Sequence, residues 1–135
     1  MAALFRRLGA PLNNVRWSWG SVRPSDGAIV LRVWQDPVKH IDGRPFMRLT
    51  ENEYFKAHDP RNAGYLERLE HVRLIDGNAT TYMIMCVALD MNAIPRVIRE
   101  FNKRELFCGG LYVETGGDSW LELGKRISID EAIPR

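Results

Sequence analysis

Ala28-Ile29-Val30-Leu31-Arg32-Val33-Trp34 and Thr80-Thr81-Tyr82-Met83-Ile84-Met85-Cys86-Val87-Ala88-Leu89 are the two stretches that decide the fold. The first is apolar and β-branched at successive positions, the pattern of a central strand covered on both faces. The second is the longest apolar run in the chain and reads as the core strand of the second half. Gln35-Asp36-Pro37 closes the first strand, because proline brings no N–H to a central ladder.

Working outward, residues 2–8 read as a short helical turn broken by Gly9, Ala10, Pro11, Asn13 and Asn14. Val15-Arg16-Trp17-Ser18-Trp19 alternates and predicts a short strand that ends at Gly20, with both tryptophans on one face. Pro24-Ser25-Asp26-Gly27 is a turn. Ile41-Asp42-Gly43-Arg44 joins a hairpin whose second strand is Pro45–Leu49. Thr50 and Glu53 have capping-box spacing, which predicts a helix over Glu51–Lys56. Gly64–Val72 reads as a helix with Tyr65, Leu66, Leu69 and Val72 as its apolar members. A third helix is predicted over Pro95–Arg104, with Val97, Ile98 and Phe101 on one side. Gly109-Gly110 reads as a turn between the short apolar Leu106–Cys108 and the extended Leu111–Val113. Gly116-Gly117-Asp118 is a hairpin turn leading to the return strand Trp120–Leu123. From Lys125 the tail is expected to be part extended, then loose.

These segments add up to roughly six to eight short strands and two or three short helices, joined largely by hairpin turns. The expectation is an α+β fold, one domain over residues 1–135: a small curled, mostly antiparallel β-barrel or sheet with helices packed over its ends. The composition agrees. Apolar residues are 45% and charged residues 27%, which excludes a disordered chain, a collagen-like repeat and a coiled coil. No apolar run approaches the ~18 residues of a membrane-spanning helix. Arg6 and Arg7 follow the short N-terminal apolar stretch, whereas a secretory signal places its charge first. Two cysteines, Cys86 and Cys108, are too few for a disulfide scaffold or a zinc cage, and Cys86 reads as a reduced core residue. A cytoplasmic protein without a membrane partner is expected.

The net charge is only +2, yet residues 1–50 carry eight Lys and Arg against three Asp. Of the 19 basic residues 15 are arginine. Arginine's planar fork of donors suits phosphates, carboxylates and aromatic faces, so the bias points to an anionic partner for the N-terminal half. No nucleophile elbow, Walker loop, dinucleotide fingerprint or zinc motif is present, and neither cofactor nor metal is expected. His40, His58 and His71 have no metal-ligand spacing. His71 reads as a surface residue. Catalysis would need a convergent set such as His58, Asp59 and Asp36, and an enzyme acting on a nucleotide or nucleic acid is the third-ranked reading.

Three of the four tryptophans lie between positions 17 and 34, interleaved with Arg16, Ser18, Arg32 and Gln35. Rings of this kind stack on flat bases, small polar groups read base edges, and arginines hold the flanking phosphates. Arg16, Arg23, Arg32, Arg44 and Arg99 are the expected phosphate contacts. The sequence therefore points to a nucleic-acid-binding module, for DNA or RNA, that reads an unpaired, flipped or modified base. The competing reading is a small inhibitor or adaptor that binds another protein.

The segments Trp17–Gly20, Leu31–Asp36, Tyr65–Val72, Leu106–Gly110 and Trp120–Leu123 resemble the WSWG, LRVWQD, YLERLEHV, LF-GG and WLEL pattern of a group of short bacterial proteins. More loosely, the arrangement resembles the PUA-like superfamily, which includes the EVE and YTH domains. That resemblance implies a curled barrel flanked by helices, binding nucleic acid and holding a modified base in an aromatic pocket. It makes Trp17, Ser18, Trp19 and Trp34 the pocket candidates, and Asp36 and Asn14 the base-edge partners.

Overall fold

The structure is a computed structural model and describes residues 1–134. Its elements run α1 (Ala2–Arg7), β1 (Gly20–Val22), β2 (Ile29–Trp34), β3 (Val38–Ile41), β4 (Arg44–Arg48), α2 (Asn52–His58), α3 (Ala63–Asp76), β5 (Thr81–Ala88), β6 (Ile98–Phe101), β7 (Glu105–Thr115), β8 (Asp118–Ser128) and α4 (Ile129–Ala132). The fold is α+β. Its sheet has the order β1-β2-β5-β7-β8-β4-β3, with β6 also paired to β5. Every pairing is antiparallel except β2 with β5, which run parallel from Ile29 opposite Thr81 to Trp34 opposite Cys86. The connection between those two strands carries β3, β4, α2 and α3, long enough for a parallel crossover. The sheet is curled but does not close into a barrel, because β1 and β3 are left as edges.

The two decisive strands supply both faces of the core. Ile29, Leu31 and Val33 alternate onto one face with Met83, Met47, Leu121 and, from α3, Val72 and Ile75. Val30 and Ile84 alternate onto the other, where α1 and α4 cover them with Leu4, Phe5, Leu8, Ile129 and Ala132. A strand buried on both sides is apolar throughout, which is why β2 and β5 stand out in the sequence.

Four local expectations are corrected. Val15–Trp19 is a turn and loop, not a strand: the Ser18 N–H donates to the Asn14 carbonyl (2.9 Å), and the strand begins at Gly20 where it was expected to end. Pro95–Arg104 is not a helix. Ile98–Phe101 pairs along β5, from Ala88 opposite Ile98 to Cys86 opposite Phe101. β6 and β7 thus form one interrupted strand beside β5, because Cys108 and Phe107 pair with Tyr82 and Met83 further along.

Gly109-Gly110 does not turn the chain. Both residues lie inside β7, where the register with β8 shifts, and a Cβ on Gly109 would come within 2.6 Å of Leu121 Cδ2. Finally, Thr50 does not cap α2 in a capping box. Its hydroxyl donates to Asp118 (2.8 Å), and that same carboxylate accepts from the Asn52 N–H (2.8 Å), so β8 caps the helix from across the fold. The Gly116-Gly117 hairpin is as expected, with φ of +62° and +84° that glycine adopts without strain.

Candidate functional site

Where β2 runs out, α2, α3, the end of β4 and the 89–97 loop surround a cavity of about 140 Å³. Five aromatic residues line it: Trp19, Trp34, Tyr54, Phe55 and Tyr65. Four arginines line it too, Arg32, Arg48, Arg68 and Arg96, against one carboxylate, Glu51. It adjoins an outer recess of about 570 Å³ that shares Arg48, Glu51, Tyr54, Ala93, Ile94 and Arg96 and adds Glu53, His58, Met91 and Asp118.

The aromatic wall is itself packed. Phe55 stacks on Tyr65 with ring centroids 4.7 Å apart and planes 10° from parallel, and Trp19 leans on Phe55 at 5.5 Å. The edge of the Trp19 indole rests on Gly64 near the start of α3, where a Cβ would lie 2.4 Å from Cε2. Tyr65 donates from its hydroxyl to Asn52 (2.6 Å), which ties α3 to α2.

The arginines divide into two kinds. Arg48 and Arg96 are neutralised. Arg48 pairs with Glu51. Arg96 takes Asp36 in a two-pronged grip (3.1 and 2.9 Å), donates to the Asp36 and Met91 carbonyls, and lies 5.6 Å from the Trp34 ring centroid. Arg32 and Arg68 have no carboxylate partner among the described residues. Arg68 is 5% exposed and donates only to backbone carbonyls, those of Leu49 (3.0 Å), Trp19 (3.1 Å) and Arg32 (2.7 Å). Its Nε–H is buried without a partner. Burial, and then the Arg32 charge, pull the Arg68 guanidinium down to about 10, and burial lowers Arg32 as well. Both stay protonated at neutral pH, and an anionic or acceptor-rich ligand would relieve both.

The sequence candidates separate. Trp19, Trp34 and Arg32 line the cavity, and Asp36 holds its rim through Arg96. Trp17, Arg16, Asn14 and Ser18 belong to the turn beside α3. Ser18 is buried, donating to Glu67 (3.1 Å) and accepting from the Asn14 N–H, while Trp17 and Arg16 are exposed. Arg23 is withdrawn from phosphate contact: it is 3% exposed and spends its guanidinium on Asp26 and on the Leu8 and Ala132 carbonyls. Arg44 pairs with Glu122 (3.2 Å) and Arg99 with Glu100 (3.0 Å), both on the surface.

His71 is buried, not at the surface, and its imidazole is lowered to about 4 by burial and then by Arg68. His58 lines the outer recess, but Asp59 does not line it, and Asp36 is engaged by Arg96, so the His58-Asp59-Asp36 set is not assembled. Among the described residues no three His, Cys, Asp or Glu side chains group as a metal site, and no helix is long and apolar enough to cross a membrane.

Sequence reasoning missed Tyr54, Phe55, Tyr65, Arg48 and Arg68. One signal was present. Tyr65, Arg68, Val72 and Ile75 are spaced three, four and three apart, so the face that buries α3 carries an arginine at its centre. No family model matches the chain, and no curated protein or solved structure is similar enough to it to carry an argument.

Proposed function

We propose that this protein is a nucleic-acid-binding module that takes one unpaired, flipped or modified base into the cavity walled by Trp19, Trp34 and Tyr54. The observation that carries this reading is the meeting of five aromatic side chains with two guanidiniums that no carboxylate neutralises. Rings offer the faces of a base a surface to stack on, and unneutralised arginines favour its carbonyl oxygens or an adjoining phosphate. The curled, mostly antiparallel sheet with helices at its ends supports a PUA-like reading of the architecture. The partner is DNA or RNA in the cytoplasm, and the module binds without catalysing.

The test is a titration followed by tryptophan fluorescence, with single- and double-stranded DNA and RNA, with and without methylated bases, at low and moderate salt. Saturable quenching that weakens with salt is expected, since phosphate contacts release counterions. Trp34→Ala is expected to weaken binding about tenfold or more, because one base–ring stack contributes about 1–3 kcal/mol. Absence of binding to every strand at low salt overturns the proposal. A second reading, an adaptor or inhibitor that binds a protein, draws on the exposed Leu89, Met91, Ile94 and Val97 beside the cavity mouth. It predicts binding that neither salt nor Trp34→Ala weakens in this way.

A further inference from the structure

The size of the cavity and one orphaned donor in its wall narrow the class of base. The cavity of about 140 Å³ is close to the ~150 Å³ of an apolar cavity known to admit a benzene ring. One six-membered ring fills it. A fused double ring does not fit unless the wall moves, and the wall is braced. Trp19 is held between Gly64 and Phe55, Phe55 is stacked on Tyr65, and Arg96 fastens the 89–97 loop to Asp36 by two charge-assisted bonds.

The second observation is chemical. Arg68 is a buried guanidinium whose Nε–H has no partner among the described residues. A buried donor left unsatisfied costs about 1–3 kcal/mol, so native proteins rarely keep one without an occupant for it. Its two other nitrogens are fixed on carbonyls from three separate segments, so the orphan cannot swing away to find a partner elsewhere. The occupant that meets both conditions is a single ring carrying an acceptor at its edge.

We infer that the cavity selects a pyrimidine over a purine, with an acceptor of the pyrimidine ring taking the Arg68 Nε–H. This rests on the base-binding reading above and goes beyond it. Ring size is discriminated by the braced aromatic wall, and Tyr54, half-buried and shared by the cavity and the outer recess, sets its outer limit.

The experiment uses the full chain and a single-stranded oligonucleotide that is abasic except at one central position. That position carries thymine, cytosine, adenine, guanine, or a difluorotoluene isostere that keeps the shape of thymine without its ring carbonyls. Affinity is read by fluorescence anisotropy of the labelled strand. Thymine or cytosine is expected to bind at least tenfold more tightly than either purine, and the isostere at least tenfold more weakly than thymine. Tyr54→Ala, which enlarges the cavity without touching Arg68, is expected to bring the purines to within about threefold of the pyrimidines.

Equal affinity for all four bases, each above the fully abasic strand, overturns the ring-size inference and leaves the base reader standing. Isostere binding equal to thymine overturns the role of the Arg68 donor. If no base improves on the fully abasic strand, base binding itself is refuted, and this inference falls with it.

Discussion

Gly64→Ala sets two physical effects of opposite sign against each other. Within a helix, alanine is favoured over glycine by about 1 kcal/mol, so propensity alone makes the variant more stable. The packing says the reverse. A Cβ at position 64 would lie 2.4 Å from Cε2 and 2.6 Å from Nε1 of Trp19, and 2.8 Å from the Trp17 carbonyl oxygen. Ordinary contact between such atoms is at about 3.5 Å, so the indole must retreat by about 1 Å. It has nowhere to go, because the Phe55 ring stands 5.5 Å away and the Arg68 guanidinium 5.9 Å away, measured to the Trp19 ring. The carbonyl contact is with backbone, which no rotamer change relieves.

Overpacking of this kind costs about 1–3 kcal/mol, and here it should sit at the upper end. After the propensity gain, Gly64→Ala is expected to be about 1–2 kcal/mol less stable, with a melting temperature lower by roughly 3–8 °C. Because the displaced ring lines the cavity, ligand affinity should fall with stability. Urea unfolding monitored by tryptophan fluorescence measures the first quantity and the oligonucleotide titration the second. A variant as stable as the parent, or more so, would refute the claim that Trp19 is seated on the glycine.

Three other outcomes are expected. His71 is lowered to about 4 by burial and the Arg68 charge, so between the ordinary histidine value and about 4 the unfolded chain binds a proton that the folded chain does not. Stability should therefore fall as pH drops from 7 to 4, and His71→Gln should flatten that slope in urea titrations at a series of pH values. Asp26 is held down to about 2 by the Arg23 guanidinium and the Ala28 N–H, so its contribution is present above pH 4 and lost as pH falls through about 2. Asp26→Asn should lower the melting temperature at pH 7 and make the melting temperature less sensitive to pH below 4. Asp36→Ala should free Arg96 and speed backbone hydrogen exchange across residues 89–97, with no comparable change in β2; unchanged exchange in that loop would rule out Asp36 as its fastening.

What the sequence made legible was local. β2 and β5 were readable because strands buried on both faces are apolar at every position, and the Asp42-Gly43 and Gly116-Gly117 hairpins because their turn chemistry lies in adjacent residues. What escaped was decided by distant partners. Trp17-Ser18-Trp19 alternates like a strand, but Ser18 satisfies Glu67, 49 positions away, and the segment bends to do so. The apolar spacing of Val97, Ile98 and Phe101 fits a helix, yet the unpaired edge of β5 recruits the segment as a strand. The site was half visible. Trp19, Trp34 and Arg32 lie in the segment that looked like a base pocket, whereas their companions come from α2, α3 and the 89–97 loop, which only the crossover between β2 and β5 brings alongside.

The same arginine explains why the cavity exists. β2 and β4 approach each other without a backbone ladder, so the curled sheet has a seam there. A closed barrel would cover such a seam strand to strand and leave no opening. Here Arg68 reaches across it, donating to the Arg32 carbonyl on β2 and to the Leu49 carbonyl just past β4, and the cavity opens beside that bridge with Arg32, Val33 and Leu49 in its wall. Burying a guanidinium with no carboxylate is costly. A hydrophobic residue at position 68 would avoid that cost but leave the bridged carbonyls without this donor. The apolar face of α3 thus carries a charge for a structural reason, and the orphaned Nε–H and the positive potential of the cavity follow from it. Substitution at Arg68 should accordingly damage fold and binding together, so ring selectivity is better tested at Tyr54 and in the ligand than at the arginine itself.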